Sequence, residues 1–168
     1  YGAYHARGGH RLWHAPEAFP RSSIPDDTAP TIEEVTDGVR LVQPTEEPTG
    51  VQKVMEIHLH GGRPALTLEH RLGNEGPGPV ELAPWAITQL PLGGVAVLPQ
   101  RAGRQDCPGL NPDRHLVAWP YTHWQDPRLL LRDDYLLVRA DPWPAPWKMG
   151  YFNRLGWVGY LRREVFFC

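Results

Sequence analysis

The amino-acid sequence predicts an all-β fold in which antiparallel sheets pack as a β-sandwich. Apolar residues at positions 51, 55, 57 and 59 alternate with polar ones, and residues 66–72 repeat this pattern. A period of two is typical of strands that bury one face. Gly, Pro, Asn and Asp interrupt the alternation about every eight to twelve residues, which is the spacing of turns in sandwiches. The 19 prolines and 17 glycines among 168 residues also disfavour long helices.

The predicted strands lie between these breakers. Residues 31–36 and 39–43 form a hairpin in which Asp37 and Gly38 are the two residues of a type I′ turn. The polar, Gly- and Pro-rich stretch 101–113 is a long loop. Further strands are predicted at residues 51–60, 66–72, 80–88, 95–98, 129–131, 135–138, 156–161 and 164–167.

Size and charge restrict the class of protein. With 168 residues the chain is long enough for one ordinary domain, and we expect residues 1–168 to form a single β-sandwich domain. The net charge of −2 argues against a nucleic-acid-binding or membrane-surface protein. The uncharged run 82–100 contains three prolines and a Gly-Gly pair, so it predicts two strands and a turn rather than a membrane helix. No signal-peptide pattern is visible, which favours a cytoplasmic location. Two cysteines exclude a disulfide scaffold, and the oligomeric state stays open.

A basic and aromatic segment at residues 7–14 is the main candidate site. It holds two arginines, two histidines and a tryptophan beside a Gly-Gly pair, which allows a ligand to approach the backbone closely. Arginine grips hydroxyls or anions with several donors, and histidine transfers protons near neutral pH. We expect Arg7 to bind the substrate, His10 to act as the catalytic acid or base, and Trp13 to stack on the ligand. The alternative is an edge strand with solvated charges.

Aromatic residues elsewhere extend this prediction. Indoles stack on the apolar faces of sugar rings, and the sequence has seven tryptophans, most of which we expect in the core. Trp85 and Trp157 are the further candidates for stacking, and Lys148 is a candidate hydrogen-bond donor. His70 shares the apolar face of its strand, so it either lines a binding cleft or is a hydrogen-bonded inward histidine.

A metal site is the alternative use of the histidines. His58 and His60 lie on the same face of a predicted strand, a spacing that metal sites use, and His70 would be the third ligand. Double-stranded barrel metalloproteins place a glutamate shortly after the second histidine, and here Gly61 and Gly62 stand there instead. We therefore expect no metal and no cofactor, and keep a metal-dependent, cupin-like β-barrel enzyme as an alternative.

Several segments resemble an uncharacterised bacterial family with the galactose mutarotase-like fold, related to the aldose 1-epimerases. Arg7-Gly8-Gly9 is also similar to the Arg-Gly-Gly segment of hexose-6-phosphate epimerases, in which the arginine contacts the substrate. The segments that carry the first resemblance are Gly-Gly-His-Arg-Leu-Trp-His-Ala-Pro-Glu at 8–17, Leu-Ala-Pro-Trp-Ala-Ile-Thr at 82–88, Gly-Gly at 93–94, Leu-Pro-Gln at 98–100, Lys148-x-Gly150 and Gly156-Trp157.

The resemblance implies a supersandwich of antiparallel sheets with a sugar-binding face. It implies aldose 1-epimerase activity in the intact protein, in which an acid protonates the ring oxygen of the sugar and a carboxylate removes the anomeric proton. Members of the family extend beyond both Tyr1 and Cys168 and carry a C-terminal glutamate base, so we expect this chain to be a fragment truncated at both ends. The expected partner is a small-molecule sugar. A non-catalytic β module that binds another protein through open sheet edges is a further alternative.

Overall fold

The computed structural model describes residues 8–100, 110–142 and 145–168, and this part of the chain is all-β. It contains antiparallel sheets and one short 3-10 helix, Arg21–Ser23. The prediction of an all-β, antiparallel, sandwich-like fold is therefore confirmed. Within the described ranges no helix is long and apolar enough to cross a membrane. The chain divides into two compact units, Tyr1–Leu90 (unit 1) and Pro91–Cys168 (unit 2).

Unit 1 contains a two-stranded ribbon and a four-stranded sheet. The ribbon pairs β1 with β6, and the sheet has the order β2-β3-β4-β5, with every neighbouring pair antiparallel. The strands are β1 (Gly9–Ala15), β2 (Thr31–Val35), β3 (Gly38–Val42), β4 (Val51–Leu59), β5 (Leu66–Asn74) and β6 (Ala83–Gln89).

One face of β1 is turned toward the four-stranded sheet. Successive side chains of a strand point to opposite faces, so His10, Leu12 and His14 share a face. His10 contacts His70 of β5, and Leu12 between the two histidines is only 3% exposed. The alternation that the sequence predicts for residues 7–14 is thus present over the described part of that segment, and it directs two imidazoles into the interior of unit 1.

Unit 2 contains a five-stranded sheet and a separate ribbon. The sheet has the order β13-β12-β7-β10-β9, and the ribbon pairs β11 with β8. The strands are β7 (Val95–Pro99), β8 (Leu116–Ala118), β9 (Leu129–Leu131), β10 (Tyr135–Arg139), β11 (Met149–Tyr151), β12 (Gly159–Arg162) and β13 (Val165–Phe167).

Apolar side chains lie on both faces of the unit 2 sheet. Leu136 of β10 and Tyr160 of β12 are buried, and the Tyr160 hydroxyl donates to the Pro91 carbonyl at 2.5 Å. The side chains of the edge strand β13 are each more than half exposed, Phe166 and Phe167 included. Unit 2 therefore presents an apolar edge to solvent.

The predicted hairpin at residues 31–43 is confirmed, but its turn lies one residue earlier than the sequence predicts. Val35 pairs with Gly38, so the two turn residues are Thr36 and Asp37. Asp37 has a φ of 57°, whereas Gly38 has no positive φ and belongs to β3. Thr36 also lacks a positive φ, so the prediction of a type I′ turn at Asp37-Gly38 is wrong.

Gly38 is needed for close packing rather than for a turn. A Cβ atom at this position would lie 1.9 Å from the carbonyl oxygen of Ile57 on β4. The Asp-Gly pair, which normally marks a turn, thus reflects the close approach of two strand backbones.

The two strands predicted within residues 82–100 do not pair with each other. β6 pairs with β1 in unit 1, whereas β7 pairs with β10 and β12 in unit 2. The boundary between the two units falls between Leu90 and Pro91, inside this uncharged run. The segment between β6 and β7, which the sequence predicts as a turn between two strands, therefore connects strands of different sheets.

Candidate functional site

Two half-buried histidines from different sheets of unit 1 meet at their ring nitrogens. The Nε2 atoms of His10 on β1 and His70 on β5 lie 2.9 Å apart. The rings are nearly parallel, with centroids 4.9 Å apart and planes inclined by 11°. The opposite nitrogen of His10, Nδ1, lies 2.8 Å from the hydroxyl of Thr88, its register partner on β6. The pair thus links the β1–β6 ribbon to the four-stranded sheet.

Both imidazoles of this pair favour the neutral form. Burial lowers the pKa of His10 below the ordinary value of 6.5. Burial also lowers the pKa of His70, and the charge on a protonated His10 lowers it further. A neutral imidazole has one N–H donor and one lone pair, so the short Nε2–Nε2 contact requires a single proton between the two rings.

The surroundings indicate which ring carries the shared proton. His70 Nδ1 is buried and has no hydrogen-bonding partner among the described residues. An orphaned buried N–H is costly and rare, so this nitrogen is best left as a lone pair. His70 then donates from Nε2 to His10, and His10 donates from Nδ1 to Thr88. The three residues form a directed chain of hydrogen bonds.

The indoles of the candidate site lie on the opposite face of the ribbon from this pair. Trp13 on β1 and Trp85 on β6 are register partners and pack edge to face, with ring centroids 5.4 Å apart. The guanidinium of Arg11 lies 5.7 Å from the Trp13 ring and donates to Gln89 at 2.5 Å. Trp13 follows His10 by three residues along β1. Because successive side chains of a strand point to opposite faces, the indoles and the imidazoles lie on opposite faces of the ribbon.

The two candidates that lie later in the chain make their contacts within unit 2. Lys148 places its Nζ 4.2 Å from the ring centre of Trp119, a cation–π contact, and its carbonyl accepts from the Thr122 hydroxyl. Trp157 packs edge to face on Phe166 at 6.5 Å between centroids. Arg7 lies outside the described residues.

The three histidines of the metal alternative are not brought together. His58 lies on the outer face of β4, where its Nε2 is 3.4 Å from Glu56. His70 pairs in register with Met55 and so occupies the inner face of the same sheet. His60 follows the end of β4 and contacts the Thr67 hydroxyl at 2.8 Å. Within the described ranges no group of three or more His, Cys, Asp or Glu side chains is arranged to hold a metal.

A buried polar network around Lys53 is a feature that the sequence analysis misses. Lys53 is 4% exposed, and its ammonium contacts Glu46 at 2.8 Å and also Asp26. Burial raises the pKa of Glu46, but hydrogen bonds from Lys53 and Thr49 outweigh this effect and lower it overall. Lys53 has the same parity as the apolar residues of β4, which is the signal that could have predicted a buried lysine.

His14 connects this network to β1. Its ring is 1% exposed, and its Nδ1 lies 3.0 Å from the guanidinium of Arg21. Because arginine only donates, Nδ1 of His14 must be the acceptor and the ring proton of the neutral form is on Nε2. That nitrogen is 3.6 Å from Glu46, too far for a hydrogen bond. A cleft of about 180 Å³ beside the network includes Asp26 and Glu46 in its lining.

The outer face of the four-stranded sheet carries a second ion network, centred on Glu56. Arg40 contacts this carboxylate at 2.8 Å and Arg71 contacts it at 3.2 Å. These arginines cover Glu56, which is why it is buried although it lies on the polar face of β4. The hydrogen bond from Arg40 lowers the pKa of Glu56 against the effect of burial. Because every group of this network is paired, we interpret it as structural.

Comparisons with known proteins found no relative of this chain. No protein-family model, curated protein or solved structure matches the chain. The class that the fold and the site define is therefore an all-β protein whose first unit holds a half-buried pair of neutral histidines between two antiparallel sheets.

Proposed function

We propose that unit 1 binds a small sugar at the His10–His70 pair, and that the pair catalyses exchange between the anomers of an aldose in the intact protein. The observation that carries this proposal is the 2.9 Å contact between the two Nε2 atoms. Two coupled neutral imidazoles can accept one proton and release another near neutral pH. The resemblance of residues 8–17 and 82–88 to a mutarotase-like family supports a sugar as the ligand.

The reaction needs two proton transfers on one small molecule. An aldose ring opens when the anomeric hydroxyl loses a proton and the ring oxygen gains one, and closure on the other face gives the second anomer. In our proposal His10 is the acid–base group, because its bond to Thr88 lies at the exposed end of the pair, where a ligand oxygen can compete. Its Nδ1–H gives its proton to the ring oxygen, and the same nitrogen takes up the proton of the anomeric hydroxyl, so the imidazole ends the reaction in its starting form. His70 is a positioning residue that donates to His10 and fixes its tautomer. General acid–base catalysis of this kind contributes roughly 10²–10⁴ in rate.

The indoles have a separate role in this proposal. Trp13, Trp85 and Arg11 form a half-buried aromatic and cationic surface on the other face of the ribbon. Indole rings stack on the apolar faces of sugars, so this surface is suited to a saccharide rather than to the reacting centre.

NMR with a panel of aldoses tests the proposal. Saturation transfer detects binding, and exchange between the two anomeric proton signals detects turnover. We expect at least one aldose to bind and to exchange faster, and we expect His10→Gln to lower the exchange rate by about 10² or more while binding persists. His60→Gln is the matched control, because His60 also contacts a threonine hydroxyl at 2.8 Å but stacks on no second imidazole within the described residues.

Two outcomes would overturn the proposal. If no aldose binds, the sugar assignment fails, and obligate assembly measured by light scattering would then favour a protein-binding module that uses the exposed side chains of β13. If sugars bind but His10→Gln exchanges anomers at the wild-type rate, the pair has no catalytic role.

A further inference from the structure

The distance between the two Nε2 atoms of the His10–His70 pair also fits a two-ligand metal chelate. We propose that it binds a divalent transition-metal ion of the Cu²⁺ type, held by the Nε2 atoms of both rings. This inference rests on the geometry of the pair and is independent of the sugar proposal.

The distance between the two nitrogens fits a single metal ion. Imidazole nitrogens bind transition metals at about 2.0–2.1 Å, so two such ligands at a right angle are about 2.9 Å apart. The Nε2 atoms of His10 and His70 lie 2.9 Å apart, although they belong to strands of different sheets. In the metal-free protein the shared proton lies between the two nitrogens. The ion would lie beside the line that joins them, after that proton has moved to the other nitrogen of His70.

The protonation state of the pair suits a metal ligand. Only neutral imidazole coordinates a metal, and burial already favours the neutral form of both rings. His10 donates its other ring N–H to Thr88, the kind of contact that fixes the tautomer and orientation of a ligating histidine. At His70 the proton moves from Nε2 to Nδ1 on binding, so no proton is released. That Nδ1 has no partner among the described residues, which limits the affinity.

The ligand set favours copper over other ions. Affinity for nitrogen ligands rises along the first transition row to Cu²⁺, and tetragonal nitrogen–oxygen coordination is typical of Cu²⁺ and Ni²⁺. No third His, Cys, Asp or Glu joins the two histidines within the described ranges, so water or a ligand would fill the remaining positions. Since the ion would occupy the nitrogens that share the proton, it would also block proton transfer through the pair.

The His10–His70 pair differs from the two histidines of unit 1 that are close in sequence, His58 and His60. His58 and His60 are two residues apart on the sequence, but His58 contacts Glu56 and the Thr36 carbonyl, and His60 lies beyond the end of β4. We therefore expect the long-range pair, rather than this sequence-local one, to bind the ion.

Titration with Cu²⁺ alone, on the full chain and without sugar, tests this proposal. The electron paramagnetic resonance spectrum of the wild type should show superhyperfine splitting from two nitrogens, the Nε2 atoms of His10 and His70. We expect His10→Gln and His70→Gln each to lower the affinity at least about tenfold and to remove one nitrogen from the splitting. His60→Gln should leave both the affinity and the spectrum unchanged. Circular dichroism of each variant checks that the sheets still form.

The outcomes separate the two proposals. Wild-type affinity and an unchanged spectrum in the double variant His10→Gln/His70→Gln would overturn the chelate and leave the sugar assay unaffected. A two-nitrogen signal that survives in that variant but disappears in His60→Gln would place the ion at the sequence-local histidines and would equally overturn the inference. Thr88→Val offers an independent check, because it leaves both ligands in place and we expect a smaller loss of affinity than either histidine substitution gives.

Discussion

Lys53 shows how a single charged residue can determine the packing around it. Its ammonium is buried, and its ion-pair partners are the carboxylates of Asp26 and Glu46, which belong to two different segments of the chain. A buried charge is tolerated only when it is paired, and removal of a partner leaves part of the desolvation cost uncompensated. The network therefore holds the segments at residues 26 and 46 against the four-stranded sheet.

The substitution Glu46→Gln tests this role. It preserves the size of the side chain and its hydrogen-bonding capacity, but it leaves the Lys53 ammonium with Asp26 alone. We expect the free energy of unfolding to fall by about 2 kcal/mol, less than for a charge with no partner. Urea denaturation measures this change, and Glu47→Gln is the control, because Glu47 is the exposed neighbour of Glu46. Equal stability of the two variants would contradict the role of the ion pair.

At the scale of the element, β1 divides the candidate residues between its two faces. His10 and His14 point to the interior of unit 1, whereas Arg11 and Trp13 belong to the opposite face with Trp85 of β6. Both faces are dictated by the period of two, so the sequence alone suffices to separate these residues. In the proposed function, a sugar at the imidazoles and a sugar stacked on the indoles would therefore lie on opposite faces of the ribbon.

The close approach of β3 to β4 is the second feature at this scale, and Gly38→Ala tests it. The added Cβ would lie 1.9 Å from the Ile57 carbonyl oxygen, and a backbone atom of a paired strand cannot move away cheaply. We expect this variant to lose about 3 kcal/mol of stability, at the upper end of the usual cost of overpacking. Gly61→Ala is the matched control, because Gly61 has no positive φ and nothing lies within 4 Å of its added Cβ. Thermal unfolding with similar midpoints for the two variants would show that the strands can separate locally.

At the scale of the whole molecule, the sequence predicts where strands lie better than it predicts which strands pair with each other. The alternation at residues 51–59 and 66–72 identifies β4 and β5, which pair as neighbours in the chain. The pairing of β6 with β1 joins residues more than sixty positions apart, and a local pattern holds no information about such a partner. His10 is predicted as a site residue from its type and its neighbours. Its contact with His70 depends on how the two sheets pack, which a single sequence does not specify.

The same contact should make the stability of the protein depend on pH. Burial lowers the pKa of His10 and His70 in the folded state below the ordinary 6.5, so the unfolded chain binds protons more readily than the native pair. The stability contributed by the neutral pair is therefore fully present above pH 6.5 and is lost as the pH falls through the lowered values. Glu46 and Glu56, whose ordinary pKa of 4.5 is lowered, and Asp126, whose pKa is lowered to about 2 chiefly by a hydrogen bond from Arg128, lose their stabilising effect only at lower pH.

Between pH 6.5 and pH 4.5, the change in stability should therefore come from the two histidines rather than from these carboxylates. We expect the urea midpoint of the wild type to fall between pH 6.5 and 4.5, and we expect this fall to be smaller in the double variant His10→Gln/His70→Gln, which has no ring to protonate at either position. His60→Gln should retain the wild-type dependence, since it leaves the pair intact. If the double variant and the wild type lose stability in parallel over this interval, the two imidazoles are as accessible to protons in the native state as in the unfolded one. The neutral, proton-sharing pair inferred from their 2.9 Å contact would then be wrong.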